Sequence, residues 1–333
     1  MIISNYIGQA LNIWPMLFLR WLLSQKNRRK ITGGSYSMKL RISILLIASA
    51  LISGPCLADL PLTVEDLLTK DNQFRLALDI GYANADRDNV NAQYDLVQTG
   101  DNNFIQLPVA VGEQRQNSDT LTLALGGRYG LSAKTELSTR LTAISSDTRL
   151  SHGAQQHSQS SDQLSQWALG VNHQFSEDND SPALLGFAEI VLAENIARKG
   201  SEYVHGKTAQ LGFTTYRSID PVVLSLTAGY RHSWNRETND QHINPGDLLF
   251  INPSIGFAIN SEVTLTGGVQ FKFRSRDRID GNSSGIRTSQ TSIDFGLGYA
   301  SSEHRTINLT IRTDISGNSG AQANLSLLYK FKD

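Results

Sequence analysis

Apolar and polar residues alternate along most of the chain after residue 73. In "VTLTGGVQFKFR", residues 263–274, every second position is Val, Leu, Gly, Val, Phe and Phe, and the positions between them are Thr, Thr, Gly, Gln, Lys and Arg. "FRLALDIGY" (74–82) and "INLTIRTDI" (307–315) show the same pattern. A period of two indicates β-strands, because successive side chains of a strand point to opposite faces.

The alternation predicts twelve strands, each about 10 to 14 residues long. Their ranges are 73–84, 118–130, 135–146, 163–175, 183–193, 207–218, 222–234, 247–259, 262–274, 287–300, 305–315 and 320–331. The connections are alternately long, as at 85–117 and 147–162, and short, as at 131–134 and 219–221. Tight periplasmic turns and longer outer loops are typical of outer-membrane β-barrels. We therefore predict an all-β fold over residues 73–333: a transmembrane antiparallel β-barrel of about twelve strands, surrounded by the outer-membrane lipid of a Gram-negative bacterium.

The polar side of the predicted strands carries charged residues of both signs. The predicted lumen-facing residues are Arg75, Asp79, Arg128, Glu136, Arg140, Arg231, Lys272, Arg274, Asp294, Arg312 and Asp314. A secreted β-sandwich or a lipocalin-like barrel is the alternative fold, but such folds use shorter strands and fill their interior with apolar side chains. Unpaired charges are costly in that kind of core, whereas they cost little in a water-filled lumen.

A secretory signal peptide is predicted at residues 38–58. Met38 is followed by basic residues, an apolar run and a small residue, Ala58, so we expect cleavage before Asp59. A transmembrane anchor would need about 20 apolar residues, and this run is shorter. With a complete signal peptide starting at Met38, residues 1–37 are interpreted as an over-extended leader.

Cys56 allows a second interpretation of the same segment, because a cysteine after an apolar run is a candidate for lipidation. Pro55 directly before it, and the small-residue cleavage site just beyond, favour ordinary cleavage instead.

One short helix is predicted between the signal peptide and the first strand, in "LTVEDLLTKD", residues 62–71. Thr63 and Asp66 have the spacing of a capping box, and apolar residues follow at helical spacing. The predicted plug residues are Thr63, Val64, Glu65, Asp66, Leu67 and Leu68. A helix of this length is marginal alone in water, so it must dock against something. We predict that residues 59–72 form a plug-like helix, either inside the lumen or at its periplasmic mouth.

Composition removes several classes of function. Lys and Arg number 30 against 31 Asp and Glu, with no basic block in the predicted mature chain, so nucleic-acid binding is not expected. The single cysteine, Cys56, leaves with the predicted signal peptide, which removes disulfide and thiolate metal sites. The chain has no phosphate-binding or nucleotide-binding motif. We predict no metal site and no cofactor.

The positions of the histidines give little support for catalytic activity. Barrel phospholipases and deacylases carry a His-x-Ser arrangement, whereas here His232 is followed directly by Ser233, so the two side chains point to opposite faces of a strand. Most other histidines fall in predicted outer loops or turns. We predict no catalytic residues and no enzymatic activity.

Two segments resemble known outer-membrane sequences. "LPLTVEDLLTKDNQFRLALDIGYANAD", residues 60–86, resembles the corresponding segment of outer-membrane transporters related to the secretion channel of the Fap functional amyloid. The resemblance implies a short helix before a twelve-stranded barrel, with the helix acting as a plug. The Fap channel also has a long coiled-coil region that assembles trimers, and this chain has only a few residues between Asp59 and Thr63. "ANLSLLYKF", residues 323–331, resembles the C-terminal signal read by the barrel assembly machinery.

These features predict an outer-membrane pore that passes a solute or polypeptide through a charged lumen, gated by the N-terminal helix. Rows of both signs predict a preference for zwitterionic or polar solutes. One alternative is a secretion channel for an amyloid-like polypeptide, and the other is a surface-loop adhesin or barrel enzyme. The sequence leaves open the substrate and whether the barrel is a monomer or a homo-oligomer.

Overall fold

The computed structural model describes residues 68–87, 94–99, 102–108, 115–152, 155–196, 202–238, 241–284, 286–316 and 319–331. All of them belong to one compact unit within Gly54–Asp333. The predicted leader, the predicted signal peptide and residues 63–67 of the predicted helix lie outside the described residues.

The described residues form nineteen β-strands. In chain order they are β1 Phe74–Arg87, β2 Tyr94–Gln98, β3 Phe104–Pro108, β4 Arg115–Ser132, β5 Thr135–His152, β6 Gln155–Ser176, β7 Ala183–Asn195, β8 Tyr203–Val204, β9 Thr208–Ile219, β10 Val222–Ser233, β11 Arg236–Thr238, β12 Gln241–Asn244, β13 Leu248–Ala258, β14 Val263–Arg274, β15 Asp277–Ile279, β16 Asn282–Ser284, β17 Thr288–Ser302, β18 Arg305–Ser316 and β19 Ser319–Lys330. Within these ranges, no helix is long and apolar enough to cross a membrane.

Twelve of these strands close into one antiparallel barrel. Around the barrel they follow the order β1, β4, β5, β6, β7, β9, β10, β13, β14, β17, β18 and β19. β19 returns to β1, with Leu78 opposite Leu327, so every barrel strand has two neighbours. Closure gives both edges of each strand a hydrogen-bonding partner, as a lipid environment requires. The twelve-stranded prediction is confirmed, including β7, whose sequence alternates poorly.

The outer face of the barrel is apolar. Exposed apolar side chains on this face include Leu121, Leu125, Leu137, Leu141, Leu169, Leu211, Leu224, Ile255, Leu265, Leu297 and Leu309. Side chains one position away along the strands, such as Thr122, Thr142 and Gln270, are buried on the inner face. Exposed apolar residues on nearly every strand form the band that outer-membrane barrels present to lipid.

The predicted outer loops contain more strand than the sequence pattern suggested. β5 and β6 stay paired from Thr135↔His173 to His152↔Gln155, so the predicted loop 147–162 is wrong. Beyond the membrane both faces of these strands meet water, and the sequence becomes polar on both, so the period of two disappears there. Two more predicted loops, 235–246 and 275–286, supply a small sheet of β11, β12, β15 and β16.

The first predicted outer loop folds back into the barrel. β2 and β3, within the predicted loop 85–117, pair from Tyr94↔Pro108 to Gln98↔Phe104. Phe104 and Ile105 are almost fully buried, because they pack against side chains of the inner face of the barrel. We call β2 and β3 with their turn the lumen hairpin, and the prediction of an outer loop is wrong for this segment.

The described end of the predicted N-terminal helix is not helical. Residues 68–70 have irregular backbone, and Asp71 forms an isolated parallel bridge with Gly130. Asn72, at φ 58°, turns the chain into β1. We call residues 68–72 the lead-in segment. Its Asn72 N–H donates to Gly130 of β4 and its Thr69 N–H to the Glu136 side chain of β5, so these groups are not available for helical hydrogen bonds.

We expect Leu125→Arg to destabilise the barrel. Leu125 pairs with Leu78 and Leu141, midway along the membrane-facing stretch of β4, and its side chain is exposed to lipid. An arginine near the bilayer midplane costs about 2–4 kcal/mol. The free energy of unfolding, measured by guanidinium titration in lipid vesicles, should fall by about that amount. Ile286→Arg, at an exposed site between β16 and β17, is the control, and an equal loss in both variants would contradict this orientation.

Candidate functional site

The inner face of the barrel carries the predicted charged residues. The strand registers and alternating burial place Arg75, Asp79, Arg128, Glu136, Arg140, Arg231, Lys272, Arg274, Asp294, Arg312 and Asp314 on this face. Several of these side chains form ion pairs instead of standing alone in the lumen. Arg140 Nη2 lies 2.5 Å from Glu189 Oε2, and Arg312 Nη2 lies 2.8 Å from Asp294 Oδ2.

The lead-in segment is held on one side of the lumen by a buried carboxylate. Glu136 of β5 is fully buried, and its Oε2 accepts a hydrogen bond of 2.8 Å from the backbone N–H of Thr69. The Thr69 hydroxyl donates to the same oxygen. Asn172 Nδ2 donates to Oε1 at 2.8 Å, and Arg128 Nη1 lies 3.8 Å from Oε1. This carboxylate of β5 therefore joins the lead-in segment to three wall strands, β5 itself and its two neighbours β4 and β6.

Leu68 contacts the far side of the barrel. It lies in one buried cluster with Ala183 and Leu185 of β7 and Tyr216 of β9. β7 and β9 are the fourth and fifth strands from β1 around the twelve-stranded barrel, whereas residue 74 already lies in β1. The lead-in segment therefore crosses the lumen near the end where the short turns lie, which is the periplasmic end of such a barrel.

Gly130 permits the close approach of the lead-in segment to the wall. Its carbonyl oxygen accepts a hydrogen bond of 3.0 Å from the Asn72 N–H, and its own N–H donates to the Gln73 carbonyl at 3.0 Å. A Cβ at this position would overlap the carbonyl oxygen of Lys70. Any larger residue would have to displace the backbone of the lead-in segment.

The lumen hairpin crosses the barrel closer to the outer end. The Gln210 Nε2 donates to the carbonyl oxygen of Asn102, at the hairpin turn, over 2.9 Å. Gln106 Nε2 lies 3.1 Å from Ser233 Oγ, on the wall strand β10. Apolar contacts add to these polar ones, because the Phe104 ring packs against Phe250 with centroids 5.1 Å apart. The hairpin thus contacts strands on several sides of the lumen.

A buried arginine ties the hairpin to the outer rim of the barrel. Arg236 has no exposed surface, and its Nη2 donates to Gln106 Oε1 at 2.7 Å and to Glu194 Oε1 at 2.6 Å. The same nitrogen donates to Thr208 Oγ1 at 2.7 Å. Charge-assisted hydrogen bonds of this kind are stronger than neutral ones, so they hold Gln106 of the hairpin firmly at the outer rim.

Neither the hairpin nor Arg236 was identified from the sequence. The sequence does contain a pattern typical of a β-hairpin, since "YDLVQ" and "FIQLP" are short strand-like runs on either side of "TGDNN", a stretch rich in turn residues. Nothing in those residues, however, indicates that the hairpin turns inward. Arg236 follows β10 in what the alternation marks as a loop.

His232 and Ser233 lie on opposite faces of β10. Ser233 is buried toward the lumen hairpin, whereas His232 lies outside between Tyr230 and Trp234, with Nδ1 2.9 Å from Asp247 Oδ1. This geometry does not bring a histidine to the Ser233 hydroxyl. Among the residues with described positions, no group of three or more His, Cys, Asp or Glu side chains is placed to hold a metal ion.

Comparisons with known proteins find one family model and several similar solved structures. The family model described as "Putative MetA-pathway of phenol degradation" matches residues 200–331. The crystal structure of an outer-membrane channel from Pseudomonas putida F1 is similar with a TM-score of 0.58 at 11% identity, covering 80% of this chain and 98% of that one. The translocator domain of the autotransporter NalP from Neisseria meningitidis has a TM-score of 0.49 at 9% identity, covering 80% and 90%. No curated protein sequence matches the chain.

The closed twelve-stranded sheet, the apolar outer band and the charged inner face define the class: the protein is an outer-membrane β-barrel. The channel from Pseudomonas putida F1 shares this fold over nearly its whole length.

We expect Glu136→Ala to release the lead-in segment. Loss of the charge-assisted hydrogen bonds to Thr69 should favour the detached state by about 1.5–3 kcal/mol, or roughly tenfold to a hundredfold. The measurement is the rate of maleimide labelling of Leu68→Cys, since Cys56 is the only other cysteine and lies in the predicted signal peptide.

The matched control is Glu177→Ala, which removes an exposed carboxylate paired with Lys134 at the same end of the barrel. Labelling of Leu68→Cys should stay slow in that background. If Glu136→Ala labelled no faster than Glu177→Ala, the buried carboxylate would not hold the segment in place.

Proposed function

We propose that the protein is an outer-membrane pore for small polar solutes, closed at rest by the lead-in segment and the lumen hairpin. The observation that carries the proposal is that both segments lie inside a charged lumen and are anchored to its wall largely by polar contacts. The hydrogen bonds to Glu136 and Arg236 involve charged groups and contribute about 1.5–3 kcal/mol each, so each can be broken and remade as a solute passes.

The two segments close the lumen at different depths. The lead-in segment crosses the lumen near the short turns, where Thr69 bonds to Glu136. The hairpin crosses nearer the outer end, where Gln106 bonds to Arg236. A solute would therefore meet two barriers in series. The predicted plug is retained in this proposal, with an extended segment in place of the predicted helix for residues 68–72.

A narrow space beside the hairpin favours a small solute over a polypeptide. It lies between Gln98 of the hairpin and wall residues that include Thr122, Arg312 and Gln322. A small solute needs only a wider gap at this place, whereas an unfolded polypeptide needs both segments to leave the lumen together. Polypeptide export, implied by the resemblance to the Fap channel, stays the second hypothesis.

The solute class is narrowed by the inner face and by the family match. Paired charges of both signs line the lumen, which suits polar solutes more than a single kind of ion. The description of the matching family concerns phenol degradation, so small aromatic solutes with a polar group belong among the candidate permeants.

Single-channel conductance in planar bilayers tests the proposal, with protein purified from outer membranes. We expect small, flickering currents from the unaltered protein. Deleting residues 59–72, or replacing residues 88–114 with a short Gly-Ser link, should enlarge the current. Both changes together should give a large and steady one, because both barriers are then absent.

Replacing residues 278–283 with the same link is the control, since this change shortens the outer hairpin of β15 and β16 and leaves the lumen filled. Its currents should match those of the unaltered protein. Absence of current in every variant, with folding shown by heat-shifted gel mobility, would overturn the pore and favour a role of the outer loops in adhesion or catalysis.

A further inference from the structure

Arg231 is a buried cation in the interior of the barrel. It lies on the inner face of β10 and is 1% exposed. None of its three guanidinium nitrogens has a hydrogen-bond partner among the residues that the structure describes. A buried charge without a partner is strongly destabilising, because it has lost its hydration and gained no compensating interaction. A group that completes this site would therefore be bound favourably.

The wall residues on both sides of Arg231 lie close to the lumen hairpin. On one side Arg231 is paired in register with Gln210, which donates to the carbonyl oxygen of Asn102 of the hairpin. On the other side it is paired with Leu248, which belongs to one buried apolar cluster with Phe104 of β3 and Phe250. Arg231, itself 1% exposed, therefore lies in the part of the lumen that the hairpin fills.

The described charges around Arg231 do not balance. The described charged side chains that act on it are Glu189, Glu194, Arg140 and Arg236. Glu189 is already paired with Arg140, and Glu194 with Arg236. Among the side chains that the structure describes, three guanidinium groups against two carboxylates leave one positive charge in excess. In addition, the Nε atom of Arg140 is buried without a partner in the described structure.

We propose that Arg231 binds the carboxylate group of a permeating solute beside the lumen hairpin. A guanidinium presents parallel N–H donors that match the two oxygens of a carboxylate. One negative charge neutralises the cluster, whereas a doubly charged phosphate would add repulsion from Glu189 and Glu194. The site therefore selects small organic monoanions. This inference deepens the proposed pore function, because it names the class of solute that the pore would pass.

Thermal stability of the purified protein in detergent tests the site without any measurement of current. A ligand that binds only the folded state raises the melting temperature with its concentration. Sodium acetate is the probe, compared with sodium chloride at equal ionic strength. We expect acetate to raise the melting temperature of the unaltered protein and of Arg278→Gln, an exposed arginine of the outer hairpin. Arg231→Gln should lose this response.

The same variant separates binding from a structural role. Arg231→Gln removes an uncompensated buried charge, so in chloride it should melt at or above the temperature of the unaltered protein. A strong loss of stability in chloride would mean that Arg231 supports the fold and would overturn the proposal. Equal acetate responses in Arg231→Gln and the unaltered protein, or no response in either, would also overturn it.

Arg231→Lys keeps the charge but lacks the planar fork. It should respond to acetate less than the unaltered protein does, and an equal response would overturn the carboxylate geometry even if Arg231→Gln did not fold. The outcomes also distinguish this site from the pore. An acetate response without conductance would overturn the proposed pore and support the anion site. Conductance without an acetate response would support the pore and overturn the anion site.

Discussion

Backbone hydrogen bonding within a lipid environment is the constraint on which this structure depends. Each N–H and C=O group that crosses the hydrocarbon must find a partner in the protein, and a closed sheet is the way for strands to provide it. The pairing of β19 with β1 completes that closure. Alternation then follows, because a barrel wall meets lipid on one side and the lumen on the other.

A closed barrel creates an interior that must itself be filled. With twelve strands the interior is wider than the side chains of the wall can occupy, and here two segments of the same chain enter it. The lead-in segment and the lumen hairpin bring both polar and apolar contacts, such as Thr69 to Glu136 and Phe104 to Phe250. The wall is held by continuous backbone pairing, whereas these segments are held mainly by side chains. Their contacts can therefore change while the barrel stays intact.

The sequence pattern was informative where the physical cause is local to a strand. Alternation is set by the two environments of the wall, so all twelve barrel strands could be predicted, although β5 and β6 run well past the predicted ends. The position of the lumen hairpin inside the barrel depends on residues more than a hundred positions away, such as Ser233 and Arg236. Single-sequence patterns carry no information about such contacts. The same holds for the pairing of Arg140 with Glu189 and for the isolation of Arg231.

Amide hydrogen exchange of the purified protein would test most directly whether the lumen is filled by its own chain. If the lumen hairpin and the lead-in segment fill the lumen, the amides of β2, β3 and Thr69 exchange slowly, because they are buried and hydrogen-bonded inside the barrel. The amides of β15 and β16, in the outer sheet, should exchange much faster. Exchange of β2 and β3 as fast as that of β15 and β16 would mean that the hairpin lies outside the lumen, and would contradict the account.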